Sequence, residues 1–232
     1  AIDVIDADYD GQKKICVAIS TGVIEVFNVS TLLKEAIVRI TDDAVDREIT
    51  TILAADADND NQQELVCCTK ETTFMFRMPG YSLKHRFDYG SIDLKCGNVN
   101  SDLLKEMVYA KGYVLCLTPS DPEPQIVAHF EIPDHWWLKL LCEISDIDGD
   151  QMFELIQVID NKLFVWDVDT KELKFSKVFE GDLWGLLVAD ANGDGNPEII
   201  LAEEDNWNVI ICMDAQGNEQ WRISGEYGSG VA

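Results

Sequence analysis

The sequence has little positive charge, no long apolar run and few histidines. Its 232 residues carry 18 basic side chains against 43 acidic ones, for a formal net charge of −25. Nucleic-acid phosphates require lysine and arginine, so this balance excludes a nucleic-acid partner and disfavours an anionic membrane surface. No apolar stretch approaches the roughly 18 residues of a spanning helix, so we expect a globular chain without membrane insertion.

Catalytic signatures are also missing. The three histidines, His85, His129 and His135, share no spacing. The chain contains no Gly-x-Ser-x-Gly, phosphate-loop or His-Glu-x-x-His motif. We therefore predict that the protein is not an enzyme.

The seven cysteines are odd in number and contain no Cys-x-x-Cys pair. Most lie in apolar runs such as residues 15–17, so we interpret them as small buried hydrophobic residues. Free core thiols favour an intracellular, reducing compartment. A glycosylation sequon at residues 28–30 favours the opposite. The localisation is therefore unknown from the sequence.

One short acidic loop occurs five times. Each copy follows the pattern Asp-x-Asp-x-Asp, with Asn replacing Asp in places, and leads into an apolar strand. The copies begin at Asp6, Asp56, Asn98, Asp146 and Asp190, at intervals of 50, 42, 48 and 44 residues. A period of about 20–50 residues indicates a solenoid or a propeller.

Four short apolar segments recur in each unit, bounded by Gly, Asn and Asp, and the last of them is the most polar. This is the pattern of a propeller blade. We predict an all-β fold, a β-propeller of five four-stranded blades, as a single domain over residues 1–232. The approximate repeats are residues 1–45, 46–90, 91–135, 136–181 and 182–232.

The two chain ends also fit the repeat. Residues 226–232 are predicted to form the first half of an innermost strand whose second half is residues 1–5, so we expect a mature piece or a fragment. We favour a closed five-bladed ring, because closure removes exposed strand edges. The alternative is a slice of a larger propeller within a longer polypeptide or assembly.

Alternating oxygen ligands in a tight loop are typical of Ca²⁺ sites, with Ca–O distances of about 2.3–2.6 Å. Mg²⁺ is the second choice, because it demands stricter octahedral geometry. We number each loop from its first Asp or Asn. The acid at the start of the apolar strand that follows the loop is then position 9. The strong predicted sites are the second loop (Asp56, Asp58, Asp60, Glu64), the fourth (Asp146, Asp148, Asp150, Glu154) and the fifth (Asp190, Asn192, Asp194, Glu198).

The other two loops depart from this pattern. The first offers Asp6, Asp8 and Asp10, but Lys14 replaces the acid at position 9. The third has Leu103 at position 6, where the turn favours glycine, so we expect weak metal binding or none there. Its ligand candidates are Asn98, Asn100, Asp102 and Glu106.

The loop and the Glu-Leu-Val type of strand that follows it, as in residues 56–66 and 190–200, resemble the FG-GAP (VCBS-like) repeat of integrin-α-type propellers. The resemblance covers the whole chain. It implies structural calcium between the first and second strands, partner binding on the opposite face, and an extracellular or cell-surface location. A polysaccharide lyase on a similar calcium-loop propeller is the enzymatic alternative by analogy.

Tryptophan is concentrated where the face opposite the loops is expected. The predicted partner-binding residues there are His135, Trp136, Trp137, Trp184 and Trp207. Clustered tryptophans suit a protein anchor or a sugar-stacking platform, and otherwise pack between blades. We predict a calcium-stabilised scaffold for protein–protein interaction. The alternative is a glycan-binding lectin that uses the same face.

Overall fold

The computed structural model describes residues 1–6, 13–19, 22–40, 48–100, 102–118, 121–130, 140–204 and 209–225. Within these ranges the regular structure is twenty β-strands in five four-stranded antiparallel sheets. The strands of each sheet are hydrogen-bonded in chain order. This confirms the predicted all-β fold and the four strands in each sequence repeat. The same ranges contain no helix long and apolar enough to cross a membrane.

The chain divides into two compact units, one of residues 1–97 and 104–129 and the other of residues 98–103 and 130–232. The strands of the first unit are β1 (Ile2–Ile5), β2 (Lys14–Ile19), β3 (Val23–Asn28), β4 (Lys34–Arg39), β5 (Thr51–Ala55), β6 (Glu64–Cys68), β7 (Thr73–Arg77), β8 (Leu83–Phe87), β9 (Leu94–Gly97), β10 (Glu106–Tyr109), β11 (Tyr113–Thr118) and β12 (Asp121–His129). Those of the second are β13 (Leu140–Ser145), β14 (Glu154–Ile159), β15 (Lys162–Asp167), β16 (Glu172–Val178), β17 (Asp182–Ala189), β18 (Glu198–Glu204), β19 (Val209–Met213) and β20 (Glu219–Ser224).

Burial decreases from the second strand of a sheet to its fourth. Every residue of β6, β10 and β14 is buried, which explains why these strands are nearly continuous apolar runs after their first Glu. Every residue of β20 is exposed. The outermost strand is thus the most solvated, as the sequence pattern predicts.

Apolar cores lie between neighbouring sheets within each unit. In the first unit, Ile24 of β3 and Phe74 of β7 belong to one cluster, and Met75 and Leu115 belong to the next. In the second unit, Leu163 and Ile211 belong to a cluster shared by the fourth and fifth sheets. Each sheet of a unit is therefore held to its neighbour by side chains from the shared face.

The seven cysteines are unbonded, and all except the half-buried Cys96 are buried. Burial raises the pKa of the Cys16 thiol to about 12 and does the same for Cys68. These thiols therefore stay protonated at neutral pH and act as small core residues, which confirms the interpretation from the sequence.

A β-bulge interrupts the fourth strand of four sheets at the same place. In the second sheet the pairing passes from Phe76–Leu83 to Met75–His85, which leaves Lys84 as the extra residue. The same shift in the other three sheets leaves Glu35, Lys174 and Gln220 as the extra residues. A bulge re-aims the side chain that it contains. We call this residue the bulge residue of its sheet.

Candidate metal centres and partner surface

Each of the second to fifth loops connects the first strand of its sheet to the second strand. The acid at position 9 is the first residue of that second strand. In the second, fourth and fifth sheets this buried glutamate fastens the loop, because its Oε2 accepts a hydrogen bond from the backbone N–H of loop position 2. The distances are 3.2 Å from Ala57 to Glu64, 3.0 Å from Ile147 to Glu154 and 2.8 Å from Ala191 to Glu198. The other carboxylate oxygen, Oε1, is left to face the loop centre.

Position 6 of the loop has a left-handed backbone in all four loops that the structure describes there. The φ angles are 66° at Asn61, 65° at Leu103, 73° at Gln151 and 94° at Gly195. Leu103 holds this conformation with its side chain 85% exposed, so no packing compensates the strain. A left-handed conformation costs a residue with a Cβ roughly 1–2 kcal/mol.

In the second loop, Asp56, Asp58 and Glu64 each offer one oxygen, and these oxygens lie within 4.8 Å of one another. The ammonium of the bulge residue Lys84 contacts the same group of acids. Its Nζ lies 2.6 Å from Asp58 Oδ2, 2.7 Å from Asp60 Oδ2 and 2.9 Å from Glu64 Oε1. The side chain of Lys84 is only 10% exposed. A positive charge therefore stands at the centre of a buried acidic loop.

Two carboxylate oxygens of this loop have no hydrogen-bond partner among the described residues. They are Asp56 Oδ1 and Asp58 Oδ1, and both are buried. A buried carboxylate oxygen without a partner carries a desolvation penalty that a bound cation would remove. The residues present thus fit a hard cation, and the acids of the second loop would hold it.

The fourth loop repeats the arrangement. Oxygens of Asp146, Asp148 and Glu154 lie within 4.8 Å of one another. The bulge residue Lys174 lies 2.7 Å from Asp148 Oδ2 and 2.5 Å from Glu154 Oε1. Its side chain is 25% exposed, more than that of Lys84. Among the described residues, only the second and fourth loops bring three acids this close together.

Both lysines are charged at neutral pH. Burial by itself lowers the pKa of Lys84 and of Lys174, but the hydrogen bonds to the surrounding carboxylates outweigh it and raise the pKa above the ordinary value of 10.5. The hydrogen bond from Lys174 also lowers the pKa of Asp148. These carboxylates therefore hold an ammonium ion and not a neutral amine.

The fifth loop has no lysine at the corresponding position. Its bulge residue Gln220 donates to Asp214 Oδ2 at 2.9 Å. Asn192 Nδ2 donates to Glu198 Oε1 at 2.7 Å and to Asp194 Oδ2 at 3.1 Å. A cleft of about 380 Å³ adjoins these groups. The acids of this loop are thus bridged by the neutral amide of Asn192, and Gln220 bonds outside the loop.

The first sheet carries the pair with its charges exchanged. Lys14 stands at position 9, at the start of β2, and the bulge residue is Glu35. The two are joined by an ion pair of 3.1 Å, and Lys14 is buried. Asp6 follows β1, whereas the predicted ligands Asp8 and Asp10 lie outside the described residues.

The third loop closes on its own amides. The N–H of Asn100 donates to Asn98 Oδ1 at 3.2 Å, and the N–H of Asp102 donates to Asn100 Oδ1 at 2.9 Å. Glu106 is buried at the start of β10. These bonds are those of Asx turns, which hold a loop without a metal ion.

Of the predicted partner-binding residues, the structure describes Trp184. Its side chain is 54% exposed near the start of β17, whereas the fifth loop follows the end of that strand. Trp184 therefore lies at the end of the sheet away from the acidic loop. His135, Trp136, Trp137 and Trp207 lie outside the described residues.

The sequence reasoning missed Lys84 and Lys174 as members of the loops. A signal for them exists, because each follows the position-9 glutamate by twenty residues. Two occurrences of one spacing in a repeat protein identify equivalent positions.

No protein-family model matches the sequence, and no curated protein matches it significantly. Solved structures do resemble the fold. A crystal structure of BBS1N in complex with ARL6DN, soaked with mercury, superposes with a TM-score of 0.67 at 12% identity, covering 95% of this chain and 64% of that one. The lead-soaked form gives 0.67 at 11%, covering 96% and 67%.

The V. cholerae biofilm matrix protein Bap1 superposes with a TM-score of 0.61 at 16% identity, covering 97% of this chain and 38% of that one. The chain thus spans about two thirds or less of the solved structures it resembles. At these identities the likeness shows the fold alone. The five four-stranded sheets are blades of a β-propeller, as predicted, and the closed ring stays a prediction.

Proposed function

We propose that this chain is a non-catalytic β-propeller module that binds a protein partner through the face opposite its acidic loops. The observation that carries the proposal is Trp184, which is large, exposed and placed at the end of its strand away from the loop. Tryptophan is enriched among the residues that dominate binding energy at protein interfaces, because it buries a large area with few rotamers to fix.

The surroundings of Trp184 define the chemistry of the partner. Val178, which precedes Trp184 in the chain and ends β16, is a second exposed apolar side chain. Glu180, Asp182 and Glu204 are exposed nearby in the chain or across the strand pair. An apolar anchor among carboxylates suits a basic protein surface, since opposite charges favour encounter and orientation. The crystallised complex of BBS1N with ARL6DN supports a protein partner for this fold.

The described histidines support a non-catalytic reading. His85 stacks on Phe87 with ring centroids 5.8 Å apart, and His129 stacks on Tyr113 at 4.3 Å. They belong to different sheets, so they do not form one acid–base site. The ring of His129 thus packs on an aromatic neighbour, and that of His85 also lies 3.7 Å from Asp58 Oδ2 of the second loop.

In the same proposal the repeats are of the FG-GAP (VCBS-like) type and their loops bind Ca²⁺, which stabilises the blades. The converging acids of the second and fourth loops support a hard-cation site. So do the two buried oxygens of the second loop that have no hydrogen-bond partner within the described part of the chain. Ca²⁺ prefers carboxylate and amide oxygens as ligands, whereas softer metals prefer nitrogen and sulfur ligands. Mg²⁺ is again the second choice.

Affinity capture with the Trp184→Ala variant tests the partner surface. Trp221→Ala is the matched control, because Trp221 is also exposed in the fifth sheet but lies on the outermost strand. A partner retained by the wild type and by Trp221→Ala, lost by Trp184→Ala, and released by moderate salt supports the proposal. Equal retention by all three proteins contradicts it.

A glycan array probed with the same three proteins tests the lectin alternative. Sugar binding by the isolated chain that is lost in Trp184→Ala, without a captured protein, would replace the proposed function with a lectin. The calcium part is tested separately by thermal unfolding in Ca²⁺ and in EDTA. A ligand that binds only the folded state must raise the midpoint, so an unchanged midpoint contradicts it.

A further inference from the structure

The ammonium of Lys84 and a divalent cation would need the same oxygens. Lys84 Nζ lies 2.6–2.9 Å from carboxylate oxygens of Asp58, Asp60 and Glu64. Ca²⁺ binds such oxygens at about 2.3–2.6 Å. Two cations cannot occupy one centre, because they would overlap and repel each other. The same conflict exists between Lys174 and a cation in the fourth loop.

We propose that Lys84 and Lys174 are built-in cations of the second and fourth loops, and that a divalent cation enters these loops only by displacing the ammonium. The inference rests on the proposed function, since it concerns the metal sites of that proposal. It adds a competitor that belongs to the chain itself. The loop keeps a counter-ion with or without metal.

The first sheet supports this inference independently. Its position-9 residue and its bulge residue carry the opposite charges, Lys14 and Glu35, and still form an ion pair at 3.1 Å. If the two positions served only to bind metal, a lysine at position 9 would serve no purpose there. The exchange instead preserves a direct pair between the start of the second strand and the bulge of the fourth.

The fifth loop supports it by a balance of charge. In the second loop Asp58, Glu64 and Lys84 together carry a net charge of −1, and the equivalent residues of the fourth loop carry the same. In the fifth loop the equivalent residues are Asn192, Glu198 and Gln220, which also carry −1. Loss of the lysine is accompanied by loss of one carboxylate. Such compensation is expected where side chains neutralise one another.

Displacement has a predictable effect on affinity. The apparent dissociation constant equals the intrinsic one divided by the fraction of protein in the binding-competent state. If the lysine occupies its loop in nine molecules of ten or more, its removal raises the Ca²⁺ affinity by about tenfold or more. The size of this increase measures how strongly the ammonium competes.

Calorimetric titration of the whole chain with CaCl₂ tests the proposal through Lys84→Met and Lys174→Met. Methionine keeps much of the apolar stem and removes the charge. Lys105→Met is the control, because Lys105 Nζ lies 3.9 Å from Asp56 Oδ2 at the loop margin and is about half exposed. We expect the Ca²⁺ dissociation constant of one site to fall at least tenfold in each test variant and much less in the control. We also expect the midpoint in EDTA to fall and to recover in Ca²⁺.

The outcomes separate this inference from the proposed function. Calcium binding by the wild type that is unchanged in both lysine variants overturns the inference and leaves calcium binding intact. Binding by the variants and not by the wild type supports the inference and removes Ca²⁺ from the function of the native chain. Absence of binding in every protein overturns both.

A measurement on the wild type keeps the inference testable if a variant does not fold. Ammonium groups held in carboxylate clusters exchange protons slowly, so ¹⁵N-labelled Lys84 and Lys174 should give NH₃⁺ signals in EDTA. Lys84→Arg and Lys174→Arg assign them without removing the charge. We expect CaCl₂ to abolish both signals, because a displaced and solvated ammonium exchanges its protons rapidly. Signals that persist at calcium saturation contradict displacement.

Discussion

The second and fifth loops have the same backbone arrangement, but they differ in the side chain that faces the centre of the loop. Each is fastened by a buried glutamate that accepts a hydrogen bond from loop position 2. Each sheet has a bulge at the same place in its fourth strand. Lys84 fills the second loop with a charge, whereas Gln220 bonds elsewhere and leaves the fifth loop to Asn192. One scaffold therefore accommodates a charged and a neutral solution to the same problem of buried carboxylates.

The fourth loop lies between these two cases. Like Lys84, its lysine contacts the acids at positions 3 and 9, but Lys174 is more exposed and so is its partner Asp148. Water screens an exposed ion pair and solvates the partner that is left when one member is removed. The contribution of the lysine to the free energy of unfolding should therefore be smaller in the fourth loop than in the second.

The largest effect is expected for Lys84→Met in EDTA. The substitution leaves buried carboxylates without a counter-ion, which typically costs about 3–5 kcal/mol. Urea unfolding of both proteins measures the difference, with an unchanged m-value as the check on the transition. The exposed control Lys105→Met should change the free energy of unfolding by less than about 1 kcal/mol. Equal losses in the two variants would contradict the assigned role of Lys84.

The exchanged pair of the first sheet gives the next largest effect. Lys14→Glu places two carboxylates side by side, and we expect a loss of about 1–3 kcal/mol, because Glu35 is partly solvated. Adding Glu35→Lys recreates the order of the second sheet and should recover most of that loss. The double-mutant cycle from urea unfolding then gives a favourable coupling of about 1–2 kcal/mol. A coupling near zero would show that the two positions are independent.

Lys174→Met sharpens the comparison of the two lysine loops. We expect a loss of about 1–2 kcal/mol in EDTA, between the values for a buried and an exposed ion pair. The same urea series measures it. A loss as large as that of Lys84→Met would mean that burial does not set the difference between the loops.

The smallest effect concerns the backbone of the third loop and has the opposite sign. Leu103→Gly should stabilise the chain by about 0.5–1 kcal/mol, because glycine relieves the left-handed strain at a small cost in unfolded-state entropy. The converse variant Gly195→Ala should destabilise by about 1–2 kcal/mol. Thermal or urea unfolding measures both, and a destabilised Leu103→Gly would contradict the strain argument.

Much of this architecture could be predicted from the sequence because it is local. Apolar runs of strand length, polar turns and a loop repeated every 42–50 residues led to four strands per unit and five units. The left-handed backbone at position 6 could be predicted from the glycine at position 195. The same argument marked Leu103 as a departure, because glycine is absent there. Each of these features depends on residues close together in the chain.

The interior of the loops could not be predicted in the same way. The sequence shows which oxygens alternate in the second loop, but it does not show what faces them. Lys84 reaches Glu64 from twenty residues away, across two strand pairings and a bulge. Without the bulge, the two-residue periodicity of a strand would place its side chain differently.

The sequence by itself determined the strands, the repeat and the alternating acids, since these follow from backbone preference and from the spacing of neighbouring side chains. Only the tertiary structure decided what a distant strand brings to the acids: an ammonium in the second and fourth loops and a reversed pair in the first sheet. The physical reason is that a strand register with one extra residue aims a distant side chain at the loop, and buried carboxylates then require whatever charge or donor it brings.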